Sequence, residues 1–354
     1  MRASAVVACG ILLAFSAGTG AAQNATPAPS PPAQNTADKV RRWFEIDQLT
    51  LATRYHFIEN DNKFKVANNA QYQFIGKLRF KFDPKGRYSV AANLSTGPTI
   101  TSAWNNTGWG TGRTQRSLNF RQLFFDAKPS KHVEVQVGGL YVNYGENTEA
   151  VTFDNDTYIT GERLQVRAPK KLYFDEVSVT YARLADILIP NVFDRFRRFD
   201  KQNYHQLLVR KQVNKFFSFS GDYTFLSGQD SLHQALRFKV AKGHPFDTIL
   251  FENYERLDPD KSYGMNVFAE KAVSKRLTLG GGFADIHIPI VNGDRFPPGK
   301  RVYFNGVYKF NREFSLTTQF TQGVGAILGP LARTRLDVVL SYNLLETLKR
   351  SKYF

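Results

Sequence analysis

From Trp43 almost to the C-terminus, short segments recur in which apolar and polar residues alternate one by one. That period of two constrains the fold more than any other feature of the chain. Successive side chains of a strand leave on opposite faces, so each such segment has one oily face and one wet face. In the stretch from Tyr72 to Phe82, Tyr72, Phe74, Leu78, Phe80 and Phe82 fall on one side, and Gln73, Lys77, Arg79 and Lys81 on the other. The pattern returns in Phe217 to Phe225, Leu277 to Phe283, Phe314 to Thr321 and Leu336 to Tyr342, while helical period is almost absent. The spacing predicts about sixteen strands, near 43–57, 70–83, 86–97, 115–127, 131–143, 161–168, 171–183, 203–213, 216–226, 231–241, 245–256, 263–273, 276–287, 301–310, 313–323 and 333–345.

The links between these segments alternate in length. Asp83-Pro84-Lys85-Gly86, Lys128-Pro129-Ser130-Lys131, Pro169-Lys170, Asn214-Lys215, Lys242-Gly243-His244, Ser274-Lys275 and Asn311-Arg312 are tight turns, and the intervening links are mostly longer. Short turns at one end, long loops at the other and an even strand number describe an all-β fold, a transmembrane antiparallel up-and-down β-barrel. Aromatic residues make up 14% of the chain, with 30 Phe and 16 Tyr, and several stand near strand ends, among them Phe44, Phe57, Phe82, Tyr141, Phe225 and Phe310. Aromatic girdles at both membrane interfaces explain that placement, whereas a soluble sandwich has no need of it, and sixteen strands close too wide a cylinder to fill with side chains. Beyond the N-terminus no apolar run approaches the roughly 20 residues of a spanning helix, which excludes a polytopic helical transporter.

Residues 1–22 read as an export signal: Arg2, then the apolar run Val6 to Phe15, then Gly20-Ala21-Ala22 ahead of Gln23. Residues 23–42 form a Pro-rich periplasmic tail, and 43–354 the barrel. Cys9 is the only cysteine and leaves with the signal, so the mature chain has no disulfide and no thiol nucleophile. The six His are isolated, without metal spacing, and no nucleophile elbow, zinc-binding pair or phosphate loop occurs. No cofactor, metal, catalytic residue or nucleic-acid partner is expected. The alternatives from other classes are a barrel enzyme of lipase or protease type, whose Ser and His meet across strands, and a plugged assembly or adhesion barrel.

With its cleaved signal, short turns against long loops, cysteine-free mature chain and terminal Phe354, the sequence resembles the outer-membrane porins of Gram-negative bacteria. The resemblance implies a channel in the cell outer membrane for passive diffusion of small hydrophilic solutes. It implies contact with lipid, lipopolysaccharide and the barrel assembly machinery, and it allows a homotrimer. One departure stands out: Lys349-Arg350-Ser351-Lys352-Tyr353-Phe354 is basic where a last strand would alternate. Either the barrel ends near Leu345 with a short tail, or its assembly signal is atypical.

If apolar residues face lipid, the opposite parity lines the pore with Arg54, His56, Lys77, Arg79, Lys81, Arg121, Arg163, Arg167, Arg237, Lys239 and Arg335. An Arg or Lys on the lipid side near the midplane costs about 2–4 kcal/mol, so the inward assignment is the cheaper one. With 47 Lys and Arg against 31 Asp and Glu, such a lumen draws in anions, less whatever inward Glu134, Asp222, Glu270 and Asp337 neutralise. The segment from Tyr144 to Glu162 carries Glu146, Glu149, Asp154, Asp156 and Glu162 and no Lys or Arg. Its place after the fifth strand matches the constriction loop that the resemblance implies, with carboxylates facing Arg54, Arg79 or Arg121 across the narrow point; the alternative is an external loop that binds divalent cations. Two further links remain open. Leu184 to Gln202, with Asp194-Arg195-Phe196-Arg197-Arg198-Phe199, could plug, latch or bind acidic groups, and Trp104 to Gly112 could be a sugar platform or an interface anchor.

Overall fold

The structure is a computed structural model that describes residues 43–100, 102–148, 157–167, 173–184, 188–241, 243–257, 262–287, 298–325 and 332–351. The export signal and Pro-rich tail expected for 1–22 and 23–42 lie outside these residues. In chain order the strands are β1 (Phe44–Asn60), β2 (Lys65–Lys81), β3 (Tyr88–Thr96), β4 (Asn105–Gly110), β5 (Leu118–Ser130), β6 (Val133–Tyr141), β7 (Tyr158–Arg167), β8 (Glu176–Leu184) and β9 (Tyr204–Gln212). There follow β10 (Phe217–Leu226), β11 (Gln229–Lys239), β12 (Thr248–Arg256), β13 (Tyr263–Ala272), β14 (Leu277–Ile286), β15 (Gly299–Lys309), β16 (Phe314–Gly323) and β17 (Ala332–Asn343). Two short helices complete the elements, α1 (Val192–Phe196) and α2 (Leu344–Arg350).

Each ring strand pairs antiparallel with its neighbours, and β17 returns to β1 from Thr50↔Asn343 to Asn60↔Ala332, so the sheet closes on itself. Sixteen strands form the ring, as the alternation predicts. The seventeenth, β4, is not foreseen by it. The lower half of β2, Ile75 to Lys81, pairs with β3, and above that Asn69, Gln71 and Tyr72 pair with Gly110, Asn106 and Asn105 of β4. β4 therefore continues the wall where β3 has run out.

The buried face of the strands is the polar one. In β10, Ser218, Ser220, Asp222 and Thr224 are buried while Tyr223 on the alternate face is exposed, and in β12 Glu252 and Arg256 are buried while Phe251 is exposed. Phe80, Phe125, Leu164, Leu236, Phe304 and Leu340 extend this apolar exterior around the ring. A water-soluble fold would waste that much exposed apolar surface, whereas a bilayer requires it.

The tight turns at one end share a construction. Asp83 accepts hydrogen bonds from the N–H groups of Lys85 and Tyr88, Asn214 from Phe216 and Phe217, Ser274 from Arg276 and Leu277, and Asn311 from Glu313 and Phe314. A short polar side chain thus satisfies turn donors that no ladder can reach. At the opposite end β10 and β11 join through Ser227 (φ 51°) and Gly228 (φ 91°), two left-handed residues matching the twist of a tight hairpin.

The ring ends at Asn343, and α2 follows with Leu345 buried; Phe354 lies outside the described residues. Of the two readings of the basic C-terminus, the structure has the barrel that stops early and continues as a short segment.

Candidate functional site: the inner wall and its inward loop

The parity that buries the polar face brings most of the predicted pore residues to the interior, but few stand there as lone cations. Arg335 holds Asp337 at 2.7 Å, with Arg54 at 3.7 Å and His56 Nδ1 at 2.5 Å from the same carboxylate. Arg79 bridges Asp126 (3.1 Å) and Asp47 (3.3 Å), Lys81 meets Glu45 (2.6 Å), and Arg167 meets Glu134 (2.8 Å) and Glu176 (3.3 Å). Lys77 stands over the Tyr141 ring at 5.1 Å, and among the described residues neither Lys77 nor inward Lys239 meets a carboxylate. Inward acids thus offset much of the basic wall that composition suggests.

Two predicted pore residues do not meet the lumen as expected. Arg121 sits at a β-bulge in β5, where the register with β3 slips between Asn93 and Leu94, and it is fully buried with its guanidinium donating to the Ser102 carbonyl. Arg163 is also buried, bonded to Thr180 Oγ1 (3.0 Å) and to the Tyr141 carbonyl (2.5 Å). Each spends a donor on a backbone carbonyl and is buried instead of facing solvent.

The link after β6 runs inward along the wall. Asn143 Nδ2 donates to Ser178 Oγ of β8 (3.2 Å), and its carbonyl accepts from Gln206 Nε2 of β9 (2.8 Å). The Glu146 N–H reaches Ser220 Oγ of β10 (2.7 Å), and the Thr148 hydroxyl reaches Glu252 of β12 (2.8 Å). Glu146 itself is buried between Arg210 (2.5 Å) and Arg237 (2.6 Å). An apolar cluster of Leu140, Val142, Ile159, Ala182, Tyr204 and Leu226 anchors the root of this link from inside the barrel.

The partners differ from those expected. Glu146 pairs with Arg210 and Arg237, not with Arg54, Arg79 or Arg121, because the link hugs the wall nearest its own strand. Glu162 is not in the link at all: it lies in β7 opposite Val137 and Tyr181, on the exposed face with Leu164. Glu149, Asp154 and Asp156 lie outside the described residues. Arg210 escaped the sequence reading, although its parity with inward Gln206 and Leu208 was available.

On the other side of the interior the Trp104 ring stacks on Arg54 at 4.4 Å, while Trp109 packs outside on Tyr55. At the turn end, α2 borders a cavity of about 750 Å³ lined by Thr50, Ser315, Ser341, Asn343, Glu346 and Arg350. The link from β8 to β9 latches onto its own barrel. The ladder between β5 and β6 ends at Phe124↔Gly138, although both strands continue, and α1 lies across the unpaired edges. Val192 fits against Gly139, where a Cβ would overlap it, and Arg195 donates to the Arg121 carbonyl. Burial draws the Arg195 guanidinium down to about 10, still charged at neutral pH.

Two His–carboxylate pairs are buried inside, His56–Asp337 and His233–Asp222 at 2.8 Å. In the second, Nε2 of His233 is buried without a hydrogen-bond partner among the described residues. Among the described residues no three His, Cys, Asp or Glu side chains gather around a metal position.

A closed antiparallel ring, polar within and apolar without, defines a transmembrane β-barrel. No protein-family profile matches the chain, and no characterised protein matches it in sequence. Solved structures do. OmpF of Salmonella typhi in complex with daunomycin superposes with a TM-score of 0.56 at 10% identity, covering 85% of this chain and 98% of that one. A triple mutant of the Rhodopseudomonas blastica porin gives 0.52 at 12% identity, covering 85% and 99%. OprB of Pseudomonas putida at low pH gives 0.52 at 12%, covering 86% and 94%. The chain therefore resembles the outer-membrane porins in fold.

Proposed function

We propose that the protein is an outer-membrane porin, a passive channel for small hydrophilic solutes with a preference for anions. The observation that carries the reading is the inversion of the barrel wall, polar inside and apolar outside around a closed ring of sixteen strands. The link after β6 is the constriction: it brings the Glu146 carboxylate inside the barrel against Arg210 and Arg237, with Arg54 and Arg335 on the facing wall. Opposed charges across a narrow passage create a transverse field that orients dipolar solutes. Lys77 and Lys239, which meet no acid among the described residues, carry the anion preference, and Arg54 beneath Trp104 adds a flat cationic surface. The outer face meets lipid and lipopolysaccharide, insertion relies on the barrel assembly machinery, and a homotrimer is compatible with the apolar exterior. Planar-bilayer recordings of the purified mature chain test this. Stepwise conductance with a reversal potential on the anion side is expected, and the absence of any conductance from a folded, heat-modifiable barrel overturns the channel reading.

A further inference from the structure

We infer that the buried guanidinium groups of Arg121 and Arg195 hold one small inorganic anion, of chloride size, which pins α1 across the unpaired seam between β5 and β6. Arg121 is 0% exposed and Arg195 1%, and both stand close to the Tyr158 ring, at 5.7 and 5.5 Å. Each guanidinium spends one nitrogen on a carbonyl, Ser102 for Arg121 and Arg121 itself for Arg195. The remaining Nε and Nη1 of both are buried without a hydrogen-bond partner, as are Gln122 Nε2, next to Arg121 in β5, and Ser95 Oγ on neighbouring β3. Four charged N–H nitrogens, on two guanidinium groups that share the Tyr158 ring as a neighbour, thus lack a partner.

No carboxylate answers them among the described residues. The only acid of α1, Asp194, is exposed and pairs with Arg197 at 3.8 Å, pointing away from the seam. Arg cannot shed its charge as a buried Lys or Glu can, so two permanent cations remain in a region of low dielectric. An isolated buried ion is costly unless it is paired and hydrogen-bonded, and an aromatic face offsets only a small part of that cost. A single anion between the two groups would satisfy donors on both and remove their mutual repulsion. Because every donor is fully buried, a compact ion fits the place better than a solute with a carbon skeleton. The consequence is mechanical: α1 is fastened to β5 through the anion and the Arg121 carbonyl, and the seam stays shut.

The folded full-length mature barrel in detergent tests this with potassium chloride against potassium gluconate at equal ionic strength. Trypsin cleavage after Arg197, Arg198 and Lys201 is expected to run several-fold faster in gluconate, since a loosened α1 presents these sites more often. Arg121→Gln, if it still folds as a heat-modifiable barrel, should cleave quickly in both salts. Crystals of the unaltered chain grown in bromide give the second measurement, an anomalous peak between the two guanidinium groups. Cleavage rates equal in both salts overturn the inference, as does an Arg121→Gln barrel that keeps the full chloride effect. Seam density without a bromide signal also overturns it, because water then satisfies the donors.

Discussion

Replacing Glu146 with Gln tests the inward link most directly, since it keeps the side-chain shape and removes only the charge held by Arg210 and Arg237. Breaking a buried ion pair costs about 3–5 kcal/mol when the partner charge is stranded in the interior. Here the arginine side chains remain 45% and 33% exposed, so water takes over part of their solvation and about 2 kcal/mol is the appropriate figure. At 1.4 kcal/mol per decade, that raises the population of the detached link about 30-fold. Asn147 reports it: the residue is 8% exposed beside Glu146, and the sequence carries a single cysteine, Cys9, which a Cys9→Ser background removes. Asn147→Cys in the parent should react slowly with a water-borne thiol reagent, and in the Glu146→Gln background about 30 times faster, with more frequent fluctuations in single-channel current. Molar salt should quicken the parent more than the variant, because it weakens an attraction only the parent has. Equal labelling rates in both backgrounds would refute the reasoning and assign the hold on the link to Ser220, Gln206 and Glu252 alone.

Lys77→Gln, which removes an inward charge without stranding an acid, should move the reversal potential toward cation preference; an unaltered potential takes Lys77 out of the selectivity argument. Cysteines at Leu78 and Phe80 of β2 should resist water-borne reagents while one at Arg79 reacts, and equal rates would mean the register is displaced by one residue. Gly139→Ala places a Cβ against Val192 and should destabilise the seam by about 1–3 kcal/mol, seen as faster trypsin cleavage in α1 with little change in conductance. Lys271 donates to Asp247 at 2.9 Å and the Ala272 N–H at 2.8 Å, which hold this exposed turn carboxyl below its ordinary range. Its contribution to stability is therefore complete above the usual carboxylate pKa and lost as the pH falls through the lowered one. Asp247→Asn should flatten the acid limb of the unfolding temperature, and an unchanged limb would count against the pairing.

Strands with one apolar face were legible residue by residue, because period two survives wherever lipid selects one side and water the other. β4 was not, since Asn105-Asn106-Thr107-Gly108-Trp109-Gly110 has no apolar rhythm and is held by side chains such as Asn105 on Ser117 and Asn106 on Thr111. Bulges defeat parity as well: β1 slips against β2 between Ile46 and Gln48, and β5 slips at Arg121, which turned a predicted pore lining into a buried fastening. Glu162 misled because the acidic stretch was treated as one loop, whereas the strand ladder begins at Tyr158. The acidity of the link after β6 pointed to basic partners, but which arginines those are depends on the path of the chain across the wall. α1 was hidden for a similar reason: its five residues have no amphipathic repeat, and only the interruption of the β5–β6 ladder gives them a place.

The short helix α2 bears on the order in which the molecule comes together. The pairing of β1 with β17 joins the two ends of the ring; His56 and Asp337, which meet there, are 281 residues apart in sequence. Closing a flexible loop of that length costs about 5 kcal/mol of chain entropy, whereas each hairpin elsewhere joins near neighbours, so this pair has reason to form last. α2 leaves the end of β17 and reaches both sides of that junction, with Leu345 beside Phe44 and Ile46 of β1 and Arg350 on Glu313 below β16 at 2.6 Å. A segment that can grip the first strand before the ladder zips would raise the local concentration of one edge about the other. Truncation after Asn343 should then slow the final step of refolding while leaving the finished barrel's conductance intact.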